Sequence, residues 1–576
     1  MKLVIGEYLR ALRERDELDR LLPDLLVEMG YVPIARPQKG NRQFGVDLAA
    51  RGRNPLTGKD ELLLLVVKQG DIGRGEWDTG AQAVRPSMNE IFDVYLHSHV
   101  EPVDKNRQVH IILVTNGEMK QTVLASWAGY VTEHESRALV EFWNADLLAD
   151  LVEHHLLDEY IFRDQDRKHL RRALALSEDS EYDHRDLHLL FLSCLGLTVE
   201  GKLQAASKTE KELVKSLRVV NLATQIFASW SSKDGDARQG LKAMERALLW
   251  SWHRIQLTDA QSQTAVVADA FSALWSGYLV NTHRYFEKIQ GHLHVDDGMS
   301  GYYSDGAEFS LVAFEQIGIL ASIGLSLILC RADDKLVSDI HEKGARIVAE
   351  GLASVIDKNS ICSSPCFDRH CNEISMALTL LLITGLTDRA RNWLATLIRN
   401  VDYAYKAKRF VPVSTDSIEG LVEEGGWSSG TADDRQMSMS WLLPTLAGWC
   451  VVLGMEDQYN LLSNEADASY ANTCMQLWHP DADLYKYIYF KAAHFECGAS
   501  EAPIKLPRTL SNWGGHMKTI VGSNQAQIAA SSPAGRCGML AIDIIAMRHF
   551  QTPVPPFFWY RFSDPEQRAG GKIDIH

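Results

Sequence analysis

The chain reads as multidomain, an α/β domain over residues 1–165 followed by an all-helical part over residues 166–576, built as a bundle or a solenoid. Three observations predict this. The 576 residues exceed what one hydrophobic core serves. Short apolar runs of strand character alternate with helical periodicity as far as residue 165, the pattern of helices around a central sheet. Beyond Asp166 only helical periodicity continues.

Residues 7–29 place apolar side chains three and four apart, predicting a helix that Pro23 kinks or splits and Gly30 ends. Residues 46–50 and 61–67 read as strands, the second apolar enough for burial on both faces. Asn54, Pro55 and Gly58 mark the turn between them. Residues 77–97 predict a helix that Pro86 starts or breaks, and residues 110–115 a strand stopped by Asn116 and Gly117. A further helix and strand follow, and residues 145–162 close the domain as a helix. In the helical part, residues 211–230, 237–254, 265–289, 335–356 and 388–401 carry the clearest periodicity, with divisions near residue 300 or across 410–435. Short polar loops between several of these favour antiparallel neighbours. The glycine-rich stretch 412–434 reads as a connector or functional loop, and the tail from Gly570 as disordered.

A net charge of −16 argues against a surface that coats nucleic acid throughout, while leaving room for a local basic groove. Residues 36–85 hold nine Lys or Arg against six Asp or Glu, an excess of the sign a phosphate backbone attracts. Nine scattered cysteines suit a reducing compartment. No secretory pattern opens the chain, and the apolar run 317–330 is shorter than a bilayer span, so a cytoplasmic protein with no membrane contact is expected.

The chemistry-bearing stretch is Gln43-Phe44-Gly45-Val46-Asp47, then a turn, then the apolar strand ending Val66-Val67-Lys68-Gln69-Gly70-Asp71. An aspartate beside one strand and a lysine ending the next suit phosphodiester hydrolysis. Asp47 offers a carboxylate to Mg²⁺ or Mn²⁺, and Lys68 can orient water and offset negative charge. Lys39, Arg42 and Arg74, with Arg51 and Arg53, are candidate phosphate contacts.

These motifs resemble the PD-(D/E)xK restriction-endonuclease-like superfamily, in particular its Mrr-like and Holliday-junction-resolvase-like members. The resemblance covers roughly residues 15–160. Residues 18–31, with an acidic Asp19 and a terminal Gly30-Tyr31 pair, look like that family's first helix. Gly45-Val46-Asp47 is similar to its core motif, and Leu113-Val114-Thr115-Asn116-Gly117 to a recurrent third-strand ending. The resemblance implies a Mg²⁺- or Mn²⁺-dependent endonuclease acting on DNA, with Asp47 and Lys68 as catalytic residues and Asp19 at the family's early acidic position; Glu76 is a further catalytic candidate. It also implies a metal held by Asp47 and the Val67 backbone carbonyl. By analogy, the function is that of a bacterial restriction or anti-phage effector, whose helical part senses a protein or phage-derived trigger and assembles a homo-oligomer.

The family has Glu or Gln two residues before the lysine, and this chain has Val66. Glu61 has the wrong parity to replace it, leaving Glu76, or Asp19 and Glu28 from the first helix, to deliver a second carboxylate. The alternative is a nuclease-derived module that holds DNA or a protein without cutting.

Cys362, Cys366 and Cys371, with His370, offer metal-ligating atoms, but their spacing matches no familiar zinc knuckle and structural or incidental cysteines are the favoured reading. His154-His155 and His97-x-His99 lack a matching carboxylate motif. No Walker A, dinucleotide-binding or Gly-x-Ser-x-Gly motif occurs.

Overall fold

The computed structural model describes residues 2–12, 14, 18–35, 44–54, 57–79, 83–156, 164–177, 182–204, 209–233, 237–258, 264–299, 306–330, 335–414, 421, 432, 437–481, 483–492, 497–519 and 532–554. The chain divides into two units, Met1–Ala247 with Thr258–Gly277, and Leu248–Leu257 with Tyr278–His576. In the first, α1 (Lys2–Ala11), α2 (Asp19–Glu28), β1 (Tyr31–Ala35), β2 (Leu48–Arg53), β3 (Asp60–Lys68), α3 (Arg74–Asp78) and α4 (Val84–Glu90) come first. They are followed by β4 (Gln108–Thr115), α5 (Gln121–His134), β5 (Leu139–Trp143), α6 (Ala145–Leu151), α7 (Asp164–Leu176), α8 (Arg185–Leu195) and α9 (Glu210–Lys233).

The five strands form one mixed sheet in the order β1-β2-β3-β4-β5. β2 and β3 are joined by a tight turn, Asn54 donating to Lys59 and Gly58 to Asn54, so they run antiparallel with Leu48 opposite Leu65. β3, β4 and β5 are parallel, each connection crossing through helices, as parallel pairing requires. β3 is buried from Glu61 through Val67. Its Leu62, Leu64 and Val66 join Trp77, Val84, Met88, Ile91, Phe92, Val123 and Tyr130 in one apolar cluster. Leu63, Leu65 and Val67 alternate to the opposite face and are buried too, so the strand is covered on both sides.

The N-terminal helix departs from expectation. α1 ends at Ala11, α2 begins at Asp19, residues 13 and 15–17 lie outside the described residues, and α2 continues through Pro23. The long helix expected over 77–97 is divided into α3, α4 and a wider turn at Ile91–Tyr95. Pro86 is the third residue of α4, where its missing N–H would have had no intrahelical acceptor. α6 ends at Leu151 and continues as a wider turn to Leu156, and residues 157–163 lie outside the described residues.

α10 (Ala237–Gln256) and α11 (Ala265–Ile289) match the expected segments closely. The second unit contains α12 (Gly306–Ile328), α13 (Lys335–Lys358), α14 (Cys371–Ile383), α15 (Thr387–Ala407), α16 (Leu442–Leu453), α17 (Glu456–Glu465) and α18 (Ala541–His549). It is not all-helical, because two small sheets interrupt it. Met439–Ser440 pairs in parallel with Cys474–Met475, and Leu477–Pro480 pairs antiparallel with Gly498–Glu501. The apolar run at 317–330 belongs to a longer helix than expected. α12 has 23 residues and is long and apolar enough to cross a bilayer, yet its most apolar stretch is 67% buried. α13, α14 and α18 pack against it, the surroundings of a core helix. Most of 412–434 and the tail from Gly570 lie outside the described residues.

Asp368 shows how this unit accommodates buried polarity. Its carboxylate accepts from the Ser440 hydroxyl and from the amides of Trp441 and Leu442, the last at 3.2 Å, capping the start of α16 from a distant segment. Burial nevertheless pushes its pKa up to about 6, the three donors only partly offsetting desolvation. Asp368→Ala orphans those donors and should lower unfolding stability by about 1–3 kcal/mol, measured by denaturant titration. The raised folded pKa also means that the folded state holds the Asp368 proton more tightly than the unfolded chain. This ionisation therefore removes stability as pH rises from about 4 to about 6. Asp368→Asn should abolish that dependence in a pH series of melting curves.

Candidate functional site

Phe44 and Gly45 both adopt left-handed backbone, with φ of 48° and 82°. Gly45 is required there for a second reason: a Cβ would lie 1.9 Å from the Ser87 carbonyl oxygen of α4. This close crossing turns the chain into β2 and leaves Asp47 immediately before the strand. The Asp47 amide donates to the Leu65 carbonyl at 2.9 Å, extending the β2–β3 pairing by one residue. Its Oδ2 accepts the Val67 amide at 2.8 Å. A strand residue projects its N–H and C=O to the same side, so the Val67 carbonyl also leaves toward the Asp47 edge. Lys68 follows, half-buried, on the face shared with Val66.

The loop after Lys68 is held by the end of β4. Asn116 Oδ1 accepts the Gly70 amide at 2.7 Å, and the Thr115 hydroxyl donates to the Gly70 carbonyl. Asn116 Nδ2 donates to the carbonyls of Leu9 and Leu12, at 3.1 and 2.6 Å, satisfying the C-terminal end of α1. Gly117 makes the approach possible, since a Cβ would sit 2.3 Å from the Gly70 carbonyl carbon. The Thr115-Asn116-Gly117 ending is therefore a clamp that positions residues 69–71 beside Lys68. Sequence reasoning recorded this motif but missed the role of Asn116. A polar residue followed by glycine at the end of a buried strand is the signal that carries it.

The candidate second carboxylates lie as follows. Asp19 is the first residue of α2 and is half-buried. Glu28, at the other end of α2, is held by Arg218 at 3.6 Å and Lys215 at 3.7 Å, both from α9. Glu76 folds back on its own helix, Oε2 accepting the Gly73 amide at 3.0 Å. Glu61 faces away, as its parity requires, and takes hydrogen bonds from Tyr31 at 2.8 Å and Asn54 at 3.0 Å. Val66 has no exposed surface and is part of the apolar cluster. Among the described residues, no three His, Cys, Asp or Glu side chains form a metal-holding group.

Arg74 is exposed at the start of α3, whereas Lys39 and Arg42 lie outside the described residues. Arg51 pairs with Glu101 at 3.4 Å and Asp104 at 3.2 Å, and Arg53 donates to the Gly58 carbonyl, both toward the end of β2 away from Asp47. In the second unit, Cys362, Cys366 and Cys371 are all buried. Burial pushes the thiols of Cys362 and Cys366 up to about 12, and raises that of Cys371 well above its ordinary value. His370 stacks on Phe314 at 4.5 Å, and burial pushes it down to about 3. All four side chains are packed in a core.

In comparison with known proteins, no family model matches this chain, and neither a curated protein nor a solved structure does.

The clamp generates a direct prediction. Gly117→Ala forces two backbone segments apart and should destabilise the fold by about 1–3 kcal/mol, read by denaturant titration. Amide exchange at Gly70 should rise in the same variant, and an unchanged rate there would contradict the clamp.

Proposed function

We propose that this chain is a metal-dependent DNA endonuclease whose active site is the edge formed by Asp47, Val67 and Lys68. The observation supporting this is the hydrogen bond from the Val67 amide to Asp47 Oδ2. It sets a carboxylate, a backbone carbonyl and a lysine close together at one end of the β2–β3 pair. The donor set fits a hard divalent ion. A carboxylate has about four lone-pair sites, of which the bond from Val67 takes one, and Mg²⁺ characteristically retains several waters. Asp47 and the Val67 carbonyl would hold Mg²⁺ or Mn²⁺, with Asp19 and Glu76 as the further carboxylates of the site. The ion, when bound, supplies charge neutralisation at the phosphate and lowers the pKa of bound water.

The chain's own groups do the rest. Lys68 orients the water that adds to phosphorus while the bond to a sugar oxygen breaks, and its ammonium offsets the charge that develops. Arg74, Lys39 and Arg42 contact the DNA backbone, fixing register without reading sequence. The biological setting that suits this build is a bacterial restriction or anti-phage effector with the second unit responding to a trigger, an inference by analogy alone.

A second reading is favoured by specific observations: Val66 is sealed in the apolar cluster, and Glu28 is engaged by Arg218 and Lys215. On that reading the chain is a nuclease-derived module that binds DNA or a protein without cutting. A supercoiled plasmid incubated with the full chain and Mg²⁺ or Mn²⁺ separates the two. Nicking is expected, and Asp47→Ala and Lys68→Ala should each reduce it by about 100-fold or more while the melting temperature stays close to that of the unmodified chain. Cleavage at the original rate by either variant would refute this active site. DNA binding without cleavage by the unmodified chain would establish the second reading.

DNA affinity should fall linearly with log salt, and replacing Lys39 and Arg42 by alanine should flatten that slope by about 1.8 if each contacts one phosphate. Fluorescence anisotropy across a salt series measures it. A slope near zero in the unmodified chain would exclude a phosphate-tracking surface.

A further inference from the structure

Exposed large apolar side chains are mostly scattered, but α13 gathers four between Leu336 and Ile347. Leu336 is 67% exposed, Val337 38%, Ile340 58% and Ile347 56%. The opposite side of the helix is spent on the core through Ala345, Val348, Ala349 and Leu352. Leu336, Ile340 and Ile347 fall at the recurring three- and four-residue intervals of a helix-pairing seam, with Lys343 occupying the remaining place. Singly exposed apolar residues need no explanation, whereas an aligned set on one helix marks an interaction surface.

We propose that this face pairs with the same face of a second copy of the chain, the two α13 helices running antiparallel about a two-fold axis. The charges select both partner and direction. Parallel pairing would set Lys343 against Lys343. Antiparallel pairing in this register sets Leu336 against Ile347 and Ile340 against the aliphatic stem of Lys343. It also brings Asp339 of each copy across from Arg346 of the other, so the surface is self-complementary as an isologous contact requires. Within one copy Arg346 reaches Glu350 at 3.2 Å, but both side chains are more than half exposed. Such a pair is weak and readily exchanged for one across the interface. The seam from Leu336 to Ile347 is about 17 Å long at 1.5 Å per residue. It falls short of the ~800 Å² per partner typical of stable complexes, so the dimer is concentration-dependent.

Sedimentation velocity of the full chain over roughly 1–100 μM spans the micromolar affinities such a seam supports. The unmodified chain should shift from monomer to dimer across this range. Ile340→Glu with Ile347→Glu should remain monomeric, with unchanged far-ultraviolet circular dichroism because both positions face solvent. Asp339→Arg should raise the dissociation constant by about tenfold or more, and adding Arg346→Asp should restore it. The charge variants keep the test decisive if the glutamate variant fails to fold. A chain monomeric throughout, a dimer indifferent to the glutamates, or absence of charge-swap rescue would each overturn the antiparallel pairing.

Discussion

The bond between the Val67 amide and the Asp47 carboxylate is the constraint on which the rest of the sheet edge depends. It exists only because Gly45 can cross the backbone of α4 in a left-handed conformation, which no residue with a Cβ could do there. The crossing fixes where β2 begins, and the first β2–β3 pairs then determine which β3 side chains meet each helical layer. A slip of one residue would turn Lys68 and Val66 together to the other face of the sheet. The same edge is secured from the other side by Asn116, whose amide group serves Gly70 with its oxygen and α1 with its nitrogen. One buried side chain thereby couples the first helix of the chain to the loop after Lys68.

Much of this was legible in the residues and some was not, for identifiable reasons. β3 and β4 announce themselves as apolar runs, and the long amphipathic helices α9, α10, α11, α13 and α15 by their periodicity. β1 does not, because Tyr31–Ala35 is short, contains Pro33, and lies at the sheet's margin, where propensity is weak. α14 is hidden for the opposite reason: it is buried on nearly every side, which erases the apolar-polar rhythm that marks a helix. That Asp47 and Lys68 stand at the adjoining ends of two neighbouring strands was legible from the order of the apolar runs. That Glu28 is tied to α9 was beyond reach, since it depends on which distant helix packs there.

The second unit tolerates buried ionisable groups by two different means. Asp368 is surrounded by donors that complete a helix start. Glu373 is admitted by Gly318, where a Cβ would lie 2.8 Å from the Glu373 Cγ, and it receives the Gln551 amide at 3.1 Å. Burial raises the pKa of both carboxyls, while His370 is depressed. The core thus holds polar groups whose ionisation is made less favourable by burial and partly restored by hydrogen-bond donors.

The ion pairs between α2 and α9 bear on how the protein can be divided. Asp24 and Glu28 face Arg218 and Lys215, with Arg218 bonded to Asp24 at 3.2 Å. Residues 1–165 look separable on paper because the sheet ends there, yet a fragment cut at that point would lose every one of these cations. It would carry an uncompensated acidic helix on a surface normally occluded. The sheet and the helices through α9 are consequently one heritable piece: a graft, a fusion or a natural recombination that kept the Asp47–Lys68 region would have to carry α9 along with it.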